Sequence, residues 1–302
     1  CIVTVFYNME ASILRALGNS MIPLVFLIIS SILNIGFDFW FIGGFDMGIK
    51  GAAYATLLSQ LIAGLLCLLY IIRYCPQLHL SKDDFKVSRK MLGELMGSGT
   101  AMCLMYAVVN VGTVILQAGI NGLGSDIIAA HVSARKISEI NMMPIGTLSG
   151  TMATYASQNY GAGKMDRIRE GMKKSRLLGF CWCALVLLVC SLFAEHLLKA
   201  LTGSKNPVII ETGVRYLKWN VPFYAVLVVL GTTRSALQGI GSKVVPVISS
   251  SLEMIGKILV TCVFIDMFDY LAVCLSEPVV WIVCAIPVVI AFRARMREDC
   301  VR

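Results

Sequence analysis

The chain has 302 residues, of which 57% are hydrophobic and 15% charged, and its mean hydropathy is +0.78. Soluble domains carry about a quarter charged residues, so this composition excludes an ordinary soluble protein and indicates a polytopic membrane protein. The net charge of +8 lies mainly in short segments between apolar runs, so it reads as topology rather than as a nucleic-acid surface.

The sequence begins at Cys1-Ile-Val-Thr-Val-Phe-Tyr, which lacks the charged start and cleavage site of a signal peptide. It reads as a helix already under way, so the sequence is expected to be a fragment whose N-terminal part is missing. A partial span covers residues 1–17 and ends at Arg15-Ala-Leu-Gly18-Asn19. Whole spans, each needing about 20 apolar residues, are expected over 22–42, 51–72, 92–123, 127–158, 177–201, 208–240, 244–268 and 271–292. Small residues Gly51, Ala52, Ala53 and Ala55 would let another helix approach the second of these. The polar stretch Arg73–Lys90 separates two halves. The domain reading is residues 1–73 as part of a first lobe, 74–90 as a cytoplasmic linker, 91–293 as a second lobe and 294–302 as a tail.

Basic residues sort by connection. Arg15, the Arg73–Lys90 group, the Lys164–Arg176 group, Lys243 and the tail alternate with connections holding few, among them Lys50, Lys199 and Lys205. By the positive-inside rule the first set, with the C-terminus, faces the cytoplasm. The chain also repeats: Leu14-x-x-x-Gly18-x-x-x-x-Pro23 matches Leu237-x-x-x-Gly241-x-x-x-x-Pro246 at an offset of 223. Both copies sit at cytoplasmic connections, which describes a parallel repeat about an axis along the membrane normal.

Polar groups inside spans are functional candidates because hydrocarbon penalises them. Asn34 and Asp38 share one helical face, where Asp38 could take a proton or cation, or the pair could form interhelical bonds or sit at a wet interface. Arg135 and Glu139 are spaced to pair, beside Lys136, either in a cavity or at a dipping helix end; Pro144 is placed to kink that helix. Glu253 and Lys257 form an i, i+4 pair deep in a span, with structural and transport roles both open. Trp219, Asn220, Pro222 and Tyr224 suit an interfacial belt or a substrate wall, and Asn110 and Gln117 suit helix glue. Glu277-Pro278 reads as a favourable first helical turn.

Enzyme signals are poor. His79, His131 and His196 are scattered, and the eleven cysteines, such as Cys181, Cys190 and Cys262, show no metal spacing and read as buried reduced thiols. Gly161-Ala-Gly-Lys164 lacks P-loop spacing and has Met165 where Ser or Thr should follow, and no Gly-x-Ser-x-Gly elbow is present. No catalytic residue, metal site or nucleic-acid partner is expected.

Several stretches together resemble the multidrug and toxic compound extrusion (MATE) transporters. They are Arg15-Ala-Leu-Gly18-Asn-Ser with Pro23, Ser31-Ile-Leu-Asn34-Ile-Gly-Phe-Asp38, Ala129-Ala-His-Val-Ser-Ala-Arg135-Lys-Ile, Ser157-Gln158-Asn159-Tyr-Gly161-Ala-Gly-Lys164, Ala236-Leu-Gln-Gly-Ile-Gly241 with Pro246, and Cys274-Leu-Ser-Glu277-Pro278-Val-Val-Trp281. The resemblance covers essentially the whole sequence and implies an all-α, two-lobe bundle entered at the end of its fourth helix, with the N-terminal lobe incomplete. It further implies a monomeric, multi-pass cell-membrane exporter of small organic cations, without cofactor, coupled to sodium or proton entry. Asn34 and Asp38 match the family's fifth-helix pattern. Some members carry acids in the seventh and tenth helices, whereas Leu104–Leu116 and Phe223–Leu230 hold none. A flippase for lipid-linked saccharides, a membrane-embedded enzyme and a non-transporting scaffold are the rival readings; Arg135, Lys136, Arg215, Lys218 and Lys257 favour the flippase among them.

Overall fold

The computed structural model describes residues 2–79, 88–203 and 206–298. Most of the expected linker, Lys205 and the end of the tail lie outside these residues. Two compact units form, Cys1–Ser88 and Arg89–Arg302. The described residues are helical throughout both, with no strand among them. A bilayer core favours this, because a helix satisfies its backbone hydrogen bonds internally.

The first unit holds α1 (Ile2–Ala16), α2 (Met21–Asp38) and α3 (Gly48–Tyr74). Tyr7, Ala11 and Leu14 of α1 pack against Ala63, Cys67 and Ile71 of α3. The Tyr7 hydroxyl donates to the Pro23 carbonyl (3.2 Å), tying α1 to α2. A π-helical segment, Phe39–Gly44, extends α2. Gly43 and Gly44 are therefore helical, and the connection between the spans expected over 22–42 and 51–72 shrinks to three residues before α3 begins. Gly51 and Ala55 are buried as expected of close-approach residues, whereas Ala53 points outward.

The second unit holds α4 (Arg89–Asn121), α5 (Ser125–Gly161), α6 (Met165–Thr202), α7 (Pro207–Asn220), α8 (Tyr224–Gly239), α9 (Val244–Leu259), α10 (Ile265–Phe268) and α11 (Tyr270–Glu298). Helix α5 is central and packs on α6, α7 and α8, while α9 packs on α4 and α11. A 3-10 turn at Val221–Phe223 joins α7 to α8, and Pro222 withholds the N–H that a continuous helix would use. A π-helical segment, Val260–Phe264, joins α9 to α10.

The basic stretch 164–176 is not a loop. It forms the opening turns of α6, stapled by Lys174–Glu170 (2.7 Å) and Arg169–Asp166 (3.5 Å) pairs one turn apart. At 38 residues, α6 overruns a bilayer core of about 30 Å. Among the described residues, six helical runs are long and apolar enough to span a membrane. Helix α5 and the α7–α8 pair are not among them. Their buried polar groups, among them His131, Ser138 and Asn159 of α5, Asn220 of α7 and Thr232 and Thr233 of α8, face neighbouring helices, while Lys136, Glu139 and Gln158 of α5 are exposed. Many large apolar residues of α2 and α6 lie on the exterior, including Ile28, Ile32, Leu177 and Leu188. Cys181 and Cys262 also face outward, which corrects their reading as buried thiols, while Cys190 is buried.

The repeat is written into the backbone. Gly18 (φ 87°) and Gly241 (φ 83°) are 223 apart, and so are Asp46 (φ 54°) and Asp269 (φ 48°). The two glycines close identical helix caps. Asn19 N–H donates to Leu14 O and Gly18 N–H to Arg15 O; Ser242 N–H donates to Leu237 O and Gly241 N–H to Gln238 O. Helices α2 and α9 then start at Met21 and Val244, again 223 apart. Pro23 and Pro246 are buried in their first turns.

Candidate substrate and ion sites

In the first unit, Asn34 and Asp38 lie on one face of α2, just before its π-helical extension. Asn34 Nδ2 and Asp38 Oδ1 are both hidden from solvent, and neither has a hydrogen-bond partner among the described residues. The interhelical bonds considered for this pair are not made there.

The second unit carries two groups of charged side chains. In one, the Arg135 guanidinium on α5 donates to the Glu277 carboxylate on α11, and the Tyr216 hydroxyl on α7 donates to the other Glu277 oxygen (3.0 Å). Glu139 lies 3.7 Å from Arg135 and 3.8 Å from Lys136, and both Glu139 and Lys136 are largely exposed. The strong partner of Arg135 is therefore Glu277, across helices, rather than Glu139 one turn on. The first-turn reading of Glu277 is also overturned. Helix α11 starts at Tyr270, immediately after Asp269 ends α10 with a positive φ of 48°, so Glu277 is two turns in and buried. His131 joins this region through Tyr270 (Nδ1 to hydroxyl, 3.2 Å).

In the other group, Glu253 and Lys257 on α9 pair at 3.3 Å, and Arg234 on α8 lies 3.5 Å from the second Glu253 oxygen. Lys257 Nζ donates to Thr113 Oγ1 (3.0 Å), whose own hydroxyl donates to Val109 O (3.0 Å). Arg234 Nη2 donates to Ser249 Oγ (2.8 Å). This group draws together α4, α8 and α9.

The MatE family model matches residues 101–263, more than half of the chain. The chain belongs to the MatE family. The probable multidrug resistance protein YpnP of Bacillus subtilis is 28% identical over 222 residues, which cover 72% of this chain and 48% of that protein. The probable multidrug resistance protein NorM of Thermotoga maritima is 24% identical over 249 residues, covering 81% and 53%. The chain thus spans about half the length of the curated relatives it matches. A crystal structure of MATE in complex with MaL6 superposes with a TM-score of 0.90 at 21% identity, over 99% of this chain and 68% of that one, and shows the same fold.

Other expected residues of this MatE chain fall into place around the charged groups. Asn220 is fully buried; its amide donates to Tyr216 O (3.0 Å) and to Cys274 O (3.1 Å), joining α7 to α11. It and the buried Tyr224 are interior groups, not a belt, while Trp219 faces outward. Asn110 is exposed on α4, and its amide donates to Tyr106 O of its own helix (2.8 Å). Gln117 likewise bonds within α4, to Asn121 (3.0 Å), so neither glues two helices in these contacts. The Gln158–Lys164 signature is a helix cap. Lys164 N–H donates to Asn159 O (2.8 Å), Gly163 N–H to Tyr160 O (3.0 Å), and Gly163 takes the left-handed conformation (φ 68°). Asn159 is buried and bonds to Tyr155 O, while Gln158 and Gly161 are exposed. Tyr160 accepts from Arg295 (2.9 Å), which fastens the cap to the end of α11.

Sequence reasoning missed Arg234, although a basic residue inside the apolar stretch before Gly241 was signal enough. It also missed Glu10, which is buried in α1. Thr113 and Tyr216 left no such signal, because a hydroxyl is unremarkable in a membrane helix until its partner is known.

Proposed function

We propose that this protein exports small organic cations from the cell in exchange for sodium or protons, by alternating access. Family membership supports the class of activity. The observation that carries the coupling half is the Asn34–Asp38 pair. A buried polar atom without a partner costs about 1–3 kcal/mol, so the unpartnered Asp38 Oδ1 is retained for a ligand that is bound part of the time. A carboxylate oxygen is a hard ligand that suits a small monovalent cation or a proton.

Coupling needs a difference between states. Cation bound at Asp38 favours one facing of the transporter and substrate favours the other; a ligand binding both equally would drive nothing. The protein acts as a monomer in the cell membrane with its C-terminus cytoplasmic, and it needs no resident cofactor.

The test is efflux of a fluorescent organic cation from proteoliposomes under an imposed proton gradient, then a sodium gradient, with Asp38→Asn beside wild type. Gradient-driven efflux in wild type, cut about tenfold or more by Asp38→Asn, is the expected result. Efflux untouched by the substitution would remove Asp38 from the coupling site, and folded protein with no efflux under either gradient would overturn the exporter.

A further inference from the structure

The internal repeat provides a control for the charged group on α8 and α9. At the offset of 223, Arg234, Glu253 and Lys257 correspond to Ala11, Ser30 and Asn34. The first copy places Ala11 and Ser30 in buried positions and keeps the same caps, the same helix start and the same buried proline with no charge at any of the three. The repeated scaffold therefore does not require these charges. Asn34 and Lys257 are each the fourteenth residue of their helix, so an amide in one copy is replaced by an ammonium at the same depth in the other.

The charges in the second copy do not balance. Arg234 and Lys257 bring two positive charges to the single carboxylate of Glu253. The neighbouring group does not correct this, because Arg135 and the buried Glu277 neutralise each other and Glu139 and Lys136 lie largely exposed. Lys257 is almost fully buried, and its side chain is 4% exposed. An unbalanced charge inside a membrane protein is costly and is kept where it meets a counter-charge in use. Donors also remain. Arg234 Nε is hidden from solvent and has no partner among the described residues. An ammonium has three N–H groups, and Thr113 and Glu253 account for two at Lys257.

We infer that the Arg234–Glu253–Lys257 group is a binding site for the anionic head of an organic amphiphile, a single carboxylate or phosphate carried on an apolar body. The anion supplies the missing negative charge and accepts from the unused donors of Arg234 and Lys257. Glu253 holds the two cations together and limits the site to one added charge. The inference goes beyond the export of organic cations, since it extends the substrate class to zwitterions and organic anions. Because it concerns binding, it stands or falls separately from the gradient-driven efflux above.

The test uses purified protein in detergent and the matched fluorophores 1-pyrenebutyrate and 1-pyrenebutanol, with binding read by fluorescence anisotropy. The ratio of their affinities cancels apolar partitioning. Wild type is expected to prefer the carboxylate by about tenfold. Lys257→Met should bring the ratio near one, and Lys257→Arg should keep it. Glu253→Gln should raise it, because removing the acid leaves two unbalanced positive charges. A merely structural ion pair would instead lose affinity for both probes in Lys257→Met and in Glu253→Gln. Equal affinities in wild type, or a preference that survives Lys257→Met, would overturn the site. Short-chain phosphatidylglycerol as competitor separates the sources of the anion: displacement of pyrenebutyrate assigns the site to lipid phosphate, and no displacement assigns it to a soluble carboxylate, either of which upholds an anion site.

Discussion

At the scale of single residues, spacing and burial disagree, and burial decides. Arg135 and Glu139 are one turn apart, and sequence reasoning paired them; the folded chain pairs Arg135 with Glu277 instead. The reason is desolvation. Glu139 stays largely exposed, where an ion pair gains little, whereas Glu277 is buried and must be matched. Glu277→Leu alone should therefore strand Arg135 and the Tyr216 hydroxyl and destabilise the protein by about 3 kcal/mol. The double variant Arg135→Met/Glu277→Leu should recover most of that loss, because no unpaired charge remains. Glu139→Gln should change stability by less than about 1 kcal/mol. Chemical unfolding of the purified protein measures all three; a double variant no better than the single would mean that geometry, not charge matching, dominates this group.

At the scale of elements, the decisive feature is how closely helices approach. A Cβ placed on Gly239 of α8 would lie 2.3 Å from Ala153 O and 3.1 Å from Ser157 N, both backbone atoms of α5. Backbone cannot rotate aside, so Gly239→Ala should force α5 and α8 apart and cost about 1–3 kcal/mol. Gly241→Ala acts by another route. Space is open there, but its φ of 83° disfavours a side chain, so about 1–2 kcal/mol is expected. Gly146→Ala on α5 meets nothing within 4 Å and should leave stability unchanged or slightly raised. Unfolding midpoints that fail to rank Gly146→Ala above the other two would contradict this packing. The glycine of the cap was legible in the sequence, since Gly18 and Gly241 stand in the same frame before a proline. Gly239 was not, because its demand comes from a helix about eighty residues earlier.

At the scale of the whole molecule, orientation is a separate prediction from charge. A green fluorescent protein fused after Arg302 should fluoresce, and alkaline phosphatase at the same place should stay inactive, because basic residues gather at the connections on that side. The opposite pattern would invert the membrane topology and with it the direction of the proposed exchange. What the sequence determined by itself was set by local or periodic physics: helices throughout, and the repeat at 223 with its glycines and prolines at fixed offsets. These follow from apolar run length, from glycine and proline at fixed offsets, and from the demand that backbone groups bond internally in lipid. The Glu253–Lys257 pair was legible from its spacing, and only the tertiary structure decided which polar and charged groups meet across helices. Arg234 with Glu253, Arg135 with Glu277, and Lys257 with Thr113 join residues 19, 142 and 144 positions apart. A pair that distant is chosen by the packing of α4, α5, α8, α9 and α11, and no periodicity along one helix encodes it.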